Sequence, residues 1–503
     1  MSYLRLEGIT KRFGSFLAND RINLAIEAGT IHAVLGENGA GKTTLMNILC
    51  GLYQPNEGQI WLDDRPIHLH SPRVAIHYGI GMIHQHFMLV PQLTVTENII
   101  LGSGSGWNLD LHQEGEKIAA LAHHYALPVN PHSRVGDLPI GAQQRVEILK
   151  ALYRKAKLLI LDEPTAVLSP LEVDSFFAIL RQLAATGHTL IFISHKLEEV
   201  MRLCHAITIL RQGRVVATTR PQDTTPEQLA KLMVGREVLF RVEKPPAQTG
   251  PIVLAIHTLQ VRDDRSLPAV QNLSLQIHAG EILGIAGVDG NGQQELVDAI
   301  TGLRSPVQGE IHLQGKNITH WPLQQRLRLM RVGYIPADRQ KVGLVLSFSI
   351  ARNLVLKGFR VLPFCRHGLL QQEAIQAHGQ ATIEKFDIRA TDAGMKVSLL
   401  SGGNQQKVVL ARELAGEPAL IVAMQPTRGL DVGATEAVQR ALMVERERGA
   451  AILYISTELD ELMTVSDRIA VLYEGRLMDT LNAAIATIDQ IGLLMTGVPS
   501  QKN

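Results

Sequence analysis

Gly36-Glu37-Asn38-Gly39-Ala40-Gly41-Lys42-Thr43-Thr44 follows the short apolar run Ile31–Leu35 and leads into an apolar-periodic stretch that predicts a helix over Thr43–Leu52. A strand, a glycine-rich turn and a helix in that order, with Lys and Thr where the helix begins, make a phosphate-binding loop. The glycines let successive backbone N–H groups turn inward around the β- and γ-phosphates of a nucleotide, and the helix start adds its dipole. Lys42 would neutralise phosphate charge, and the Thr43 hydroxyl would bind Mg²⁺.

Working outward, the chain repeats itself. Ala28-Gly29, Gly41 and Gly51-Leu52 return as Ala279-Gly280, Gly292 and Gly302-Leu303, each displaced by 251 residues as Gly36 and Gly287 are. Gln143-Gln144, Pro164-Thr165 and Gly213-Arg214 return as Gln405-Gln406, Pro426-Thr427 and Gly475-Arg476, displaced by 262 residues as Gly141 and Gly403 are. The second half therefore holds 11 extra residues between Gly309 and Leu400. So long a period means two whole domains. We expect domains over 1–236 and 253–498, joined by a linker over 237–252, where Glu-Lys-Pro-Pro and Gln-Thr-Gly-Pro break the pattern. In each half short buried strands, such as Leu158–Leu161 and Leu190–Ile193, alternate with helical segments such as Glu172–Thr186. The expected fold is α/β, a largely parallel sheet flanked by helices.

Composition narrows the function. The chain has 503 residues, 46% of them hydrophobic, and a formal net charge of +1, so a polyelectrolyte such as nucleic acid is not an expected partner. Cys50, Cys204 and Cys365 form no CxxC pair, which argues against a zinc site or a disulfide framework. His84, His86, His123 and His124 lack acidic or Cys partners in sequence, and solvation explains them better than a metal. The N-terminus has no apolar h-region, and nowhere do 18 apolar residues run uninterrupted, so we expect a chain that does not span a bilayer.

The run Leu158-Leu159-Ile160-Leu161-Asp162-Glu163-Pro164 is an apolar strand ending in two carboxylates. Asp162 is placed to hold the Mg²⁺ shell, and Glu163 to polarise an attacking water as a general base. With the phosphate loop, this pair implies nucleotide hydrolysis.

These residues resemble the ABC ATPase family over almost the whole chain, and within it the tandem ATPases of bacterial sugar and nucleoside importers. The resemblance implies ATP and Mg²⁺ as cofactors and two ABC domains, each with a helical signature subdomain. It makes Gln85 the glutamine that touches Mg²⁺ and senses the permease, and His195 the histidine that grips the γ-phosphate. Phe13 falls where the family stacks a ring on adenine, although a core ring is the other reading. Family domains act head to tail, each ATP held between one domain's phosphate loop and the other's LSGGQ signature. On that scheme the first site joins Gly36–Thr44 to Leu400-Ser401-Gly402-Gly403-Asn404, with Asn404 in place of Gln, and takes Asp431 as its D-loop aspartate.

The second site is depleted throughout. Gln293 and Gln294 replace Lys and Thr, Met424-Gln425 replaces Asp-Glu, and Ala337 and Thr457 replace the Gln and His. Asp264 stands at the aromatic position. The signature that this site receives is Leu138-Pro139-Ile140-Gly141-Ala142, with Ser169 at the D-loop position. A charge-assisted hydrogen bond contributes about 1.5–3 kcal/mol, so losing the lysine and the carboxylate together would weaken Mg-nucleotide binding by about a hundredfold or more. One hydrolytic site out of two is the expectation.

The resemblance further implies two transmembrane permease subunits, a substrate-binding lipoprotein, one copy of this chain per transporter and a place on the cytoplasmic face of the inner membrane. His86-Phe87-Met88-Leu89-Val90-Pro91 is the candidate docking segment, core packing being its alternative. Arg352, Lys357, Arg360, Arg366 and His367 form a basic stretch expected to be solvated or permease-facing. Segments such as Tyr334–Arg339 and Gln425–Asp431 look most like the nucleoside branch, with monosaccharide import as the alternative. A soluble ABC factor acting on ribosomes or DNA is a remoter reading: the linker is short and not basic, and no long charged helical insertion is present.

Overall fold

The computed structural model describes residues 2–14, 16–84, 87–102, 110–165, 168, 170–194, 196–235, 244–288, 290–329 and 331–498. The chain divides into two compact units, Met1–Val238 and Leu239–Asn503. Among the described residues each unit holds two main sheets.

In the first unit the six-stranded sheet runs Arg214–Thr219, Ala206–Arg211, Ile31–Leu35, Thr189–Ile193, Leu158–Asp162, Ile80–Ile83. Its pairings are parallel except at the Arg214–Thr219 edge. Every residue of Ile31–Leu35 and Thr189–Ile193 is buried, as a strand covered on both faces requires. The second unit has the same order, which from the opposite edge runs Val332–Ile335, Leu420–Met424, Ala451–Ile455, Ile282–Ala286, Arg468–Tyr473 and Arg476–Asn482. In each unit three helices pack together as a group, Val95–Ile100, Leu111–His124 and Ile140–Tyr153, then Ile350–Leu354, Gln372–Lys385 and Gly402–Leu414, and the last of each three also packs on the sheet's edge strand, Ile80–Ile83 or Val332–Ile335.

Sequence reasoning does not single out the second sheet. It is antiparallel, built from Ser2–Phe13, Phe16–Glu27, Glu57–Leu62 and Arg65–Ile67, and again from Ile252–Arg262, Pro268–His278, Gln308–Leu313 and Lys316–Asn317. Its signal is alternation: Phe16–Glu27 ends in a regular exposed-buried pattern, with Ile22, Leu24 and Ile26 inward. In the second unit a buried arginine ties the helix Gln293–Thr301 to the segment that follows this sheet. Arg326, 1% exposed, donates to the carbonyls of Trp321, Ala299, Ile300 and Thr319 at 2.6–2.9 Å. It thereby satisfies the last-turn carbonyls of Gln293–Thr301.

The strand Ile252–Arg262 opens at a residue assigned to the linker. The segment before it is held by the second unit: Lys244 Nζ donates to the Ser466 carbonyl at 2.6 Å, and Arg446, bound to Asp467, donates to the Pro245 carbonyl at 3.0 Å. In the basic stretch Arg352, Arg360, Arg366 and His367 are exposed, and one residue is tied into the fold. Lys357 is not simply solvated, because its ammonium binds the buried Glu413 carboxylate, which also accepts from Arg412 and the Tyr334 N–H.

Candidate functional site

The strand Ile31–Leu35 delivers the chain into a turn over residues 36–41 and then into the helix Lys42–Leu49. That helix is shorter than the periodicity predicts, because Cys50 caps it and Gly51 turns left-handed at φ 74. Gly41 is the position where only glycine fits: its φ is 100, and a Cβ would lie 2.5 Å from the Ala18 carbonyl oxygen and 2.6 Å from Asn19 Nδ2. Asn19 itself donates to the Gly41 carbonyl at 3.1 Å, so the antiparallel sheet shapes the loop. Asn38 and Gly39 are exposed at its rim, Gly36 and Ala40 are buried, and Glu37 is half-buried. Lys42 Nζ bridges the carbonyls of Gly36 and Glu37 at 2.6 and 3.0 Å. Thr43 is exposed and Thr44 half-buried at the helix start.

Asp162 ends the buried strand Leu158–Asp162, and Glu163 follows in the left-handed region at φ 47, its N–H donating to the Ile193 carbonyl at 2.9 Å. Such a conformation in a non-glycine residue costs of order 1 kcal/mol and is kept where surroundings impose it. Here they do. Gln144 Nε2 donates to the Pro164 carbonyl at 2.5 Å, and Thr165 Oγ1 donates to the Glu199 carboxylate at 2.6 Å. Burial, and then the neighbouring Glu163 charge, raise the pKa of Asp162 above its ordinary value, against the opposing pull of Lys42 and His84. A carboxylate that is costly to ionise, next to a second carboxylate and within reach of a lysine's field, fits a hard divalent cation taking oxygen ligands. Thr43 and Asp162 would hold such an ion. Gln85, His195 and Ser169 lie outside the described residues.

Phe13 is 43% exposed, so it is not a core residue; it meets Tyr53 edge-on with centroids 5.3 Å apart, and Lys11 Nζ lies 5.3 Å from its ring. In the candidate docking segment Phe87 and Leu89 are half-buried, and His86 lies outside the described residues. Met88 is 62% and Val90 37% exposed.

In the second unit Ser401 caps the helix Gly402–Leu414. Asn404 explains itself: its Nδ2 donates to Ser401 Oγ at 2.9 Å while its Oδ1 accepts the Arg389 N–H at 2.8 Å, so both ends of the short amide are used. Gly403 lies against the helix Val432–Glu447, where a Cβ would come 3.1 Å from Ala434 Cβ. Asp431 caps that helix by accepting the Ala434 N–H at 2.8 Å. Ser401, Gly402, Gly403 and Asp431 are thus held together within one unit.

The family model for ABC transporters matches residues 19–166 and 270–428. The chain belongs to the ABC transporter family. Members bind and hydrolyse ATP, and this ABC chain carries the family's region twice. Among curated relatives it is 46% identical to the nucleoside import ATP-binding protein NupA of Lactococcus lactis, over 98% of both chains. It is also 46% identical to the guanosine import ATP-binding protein NupO of Bacillus subtilis, over 98% of this chain and 97% of that one. It is 42% identical to the glucose import ATP-binding protein TsgD13 of Haloferax volcanii, over 98% and 96%.

The two ABC units share a frame and differ in chemistry. Gln425 has the same left-handed turn as Glu163 (φ 42), and its N–H donates to Ile455 O at 2.7 Å. Gln406 donates to the Pro426 carbonyl at 2.7 Å and Thr427 to Glu461 at 2.7 Å, repeating the bracing of the first unit. Yet Gln425 brings an amide, which accepts from Arg428 at 3.0 Å, and Met424 is buried. Gln293 occupies the lysine's position over the loop, its Nε2 donating to the Val288 carbonyl at 3.1 Å. Gln294 is turned onto Asp298 at 2.7 Å. Where Phe13 meets Tyr53, the second unit has Asp264 accepting from Arg304 at 2.6 Å. An aromatic ledge has become an ion pair. Ala337 is half-buried, and Thr457 is exposed. Pro139 caps the first unit's helix Ile140–Tyr153 with no side-chain hydrogen bond.

Proposed function

We propose that this chain drives an importer of a small polar solute, most specifically nucleosides, by hydrolysing ATP at one composite site. The observation that carries the reading is the sorting of chemistry between the units. Lys42, Asp162 and Glu163 lie together in the first, and a capped Ser401 with Gly402, Gly403 and Asp431 lies in the second. The complementary set is Gln293, Gln425 and Pro139.

In this reading the amides of residues 36–44 and Lys42 bind the phosphates, and Phe13 supports the adenine. Mg²⁺, held by Thr43, Asp162 and Gln85, would supply charge neutralisation on the phosphate oxygens. Glu163 takes a proton from the attacking water, held in its strained turn at the strand end, and His195 grips the γ-phosphate. Ser401 and the N–H groups of Gly402 and Gly403 close on that phosphate from the other unit, as a helix start binds an anion. Closure with ATP and release after hydrolysis give a two-state motion that a bound permease would follow.

The exposed Met88 and Val90 support permease docking, and no described helix is long and apolar enough to cross a membrane. Two permease subunits, a binding lipoprotein, one copy of this chain per transporter and the inner face of the membrane complete the proposal. The names of NupA and NupO support nucleoside cargo; the 42% identical glucose importer keeps a monosaccharide as the second reading.

Glu163→Gln is expected to lower ATP turnover by at least about a hundredfold while ATP binding persists, and Gln425→Ala to change it little. Equal losses from the two changes would end the one-site proposal. Uptake of labelled guanosine and glucose by cells carrying the whole transporter decides the cargo, and Glu163→Gln must abolish whichever is taken up.

A further inference from the structure

The loop that follows the strand Val332–Ile335 is three residues longer than its counterpart, counted from Ile335 to Val345 against Ile83 to Val90. Both loops close on the same asparagine clamp: Asn98 accepts the Val90 N–H at 2.8 Å, and Asn353 the Val345 N–H at 2.9 Å. The extra length forms a single π-helical turn, Arg339–Gly343, capped by Asp338, which accepts the N–H groups of Gln340 and Lys341 at 3.0 and 2.9 Å. Single π turns are rare and are frequent at functional sites.

This turn lies on the signature helix. Gln340 Nε2 donates to Gln405 Oε1 at 3.0 Å, and a Cβ on Gly343 would come 3.3 Å from Val409. At its head, the Arg339 guanidinium reaches the helix start. One amino group donates to the Arg428 carbonyl at 2.8 Å, on the loop that leads to Asp431. The other lies 2.6 Å from where a Gly402 side chain would begin, so any side chain there would displace the guanidinium. Arg339 Nε is buried and has no hydrogen-bond partner among the described residues.

The two halves of the chain make the comparison themselves. The residue of the first unit that corresponds to Gly402 is Ile140, which is 46% exposed, and no arginine follows Gln85 in that loop. Where the signature keeps its serine and glycines, a guanidinium packs on it; where the signature is lost, so is the arginine.

We propose that Arg339 is a positioning residue of the working signature. It ties the start of the Gly402–Leu414 helix to the Asp431 loop and holds its charge beside Ser401, so that the three engage the terminal phosphate of a nucleoside triphosphate as one body. This rests on the one-site reading above. A cation at a helix start is unfavourable by itself, since that end of the helix already carries partial positive charge. A bound phosphate reverses the sign. The arrangement therefore favours ATP over ADP, whose shorter phosphate chain lacks the group that the signature meets.

The test uses the full chain with Glu163→Gln, so that ATP is bound without turnover. Arg339→Met is expected to weaken ATP binding about tenfold or more and to leave ADP binding within about twofold. Arg339→Lys, which keeps the charge, should bind ATP more tightly than Arg339→Met. Because Arg339 acts through the signature, combining Arg339→Met with Ser401→Ala should cost little more than the larger single change. Additive losses, equal losses for ATP and ADP, or a lysine no better than methionine would each overturn the inference. If Ser401→Ala alone leaves ATP affinity intact, the composite-site reading itself fails. If it weakens ATP while Arg339→Met does not, only the role of Arg339 fails.

Discussion

Asp162 shows at the scale of one residue how the position proposed to hold the metal trades against stability. Its pKa is raised by burial and by Glu163, so the folded chain holds that proton more readily than the unfolded chain does. Stability must then fall as pH rises through the carboxylate range, and remain reduced at neutral pH where Asp162 is ionised in both states. Asp162→Asn removes that charge. The substitution is expected to raise the nucleotide-free melting temperature, more at pH 7 than at pH 4, while abolishing ATP turnover. An unchanged or lower melting temperature at both pH values would show that the carboxylate is not a strained charge awaiting a cation.

At the scale of elements, the two signature helices begin with the same backbone. Pro139 has φ −61 and ψ 156, and Ser401 has φ −64 and ψ 157. Leu400, at φ −80 and ψ 150, already has the extended conformation that a residue before proline needs. Ser401→Pro should therefore leave the helix folded, losing only a cap worth about 1 kcal/mol, partly offset by a stiffer unfolded chain. ATPase activity should nevertheless fall by an order of magnitude or more, because proline offers neither hydroxyl nor N–H. A variant with matching circular dichroism and full activity would exclude the signature from the site. The same pair of helices shows what sequence can reveal. The phosphate loop and the Asp162–Glu163 strand end are each local in the chain, so periodicity and turn chemistry make them legible from the residues alone, whereas the signature is legible only through the family resemblance. The antiparallel sheet is harder to read because its alternation is imperfect, broken by bulges in Ser2–Phe13. Arg339 is invisible in the sequence for a different reason. It stands some 60 residues before Gly402, and only folding brings the two together.

At the scale of the whole molecule, duplication has left one frame carrying two chemistries, and this fixes how many nucleotides the chain should hold. The second unit keeps its strand order, its left-handed turn at Gln425 and the bracing from Gln406 and Thr427, so it has not lost the fold. What it has lost are the side chains that the first unit would bring to a triphosphate. An amide replaces the ammonium at Gln293, Gln294 is engaged by Asp298, and the Asp264–Arg304 ion pair stands where an adenine would need an apolar face. Breaking that ion pair would return little, since Asp264 is exposed and such pairs contribute at most about 1 kcal/mol. Binding there must proceed without the lysine and without a metal carboxylate, a deficit of about 3 kcal/mol or more. The full chain carrying Glu163→Gln is therefore expected to bind one ATP per chain at concentrations that saturate the first site, measured by equilibrium dialysis with labelled ATP. Adding Lys42→Ala should remove that ATP and leave none. Two nucleotides per chain, or one that survives Lys42→Ala, would mean that the second unit retains a working pocket despite its glutamines.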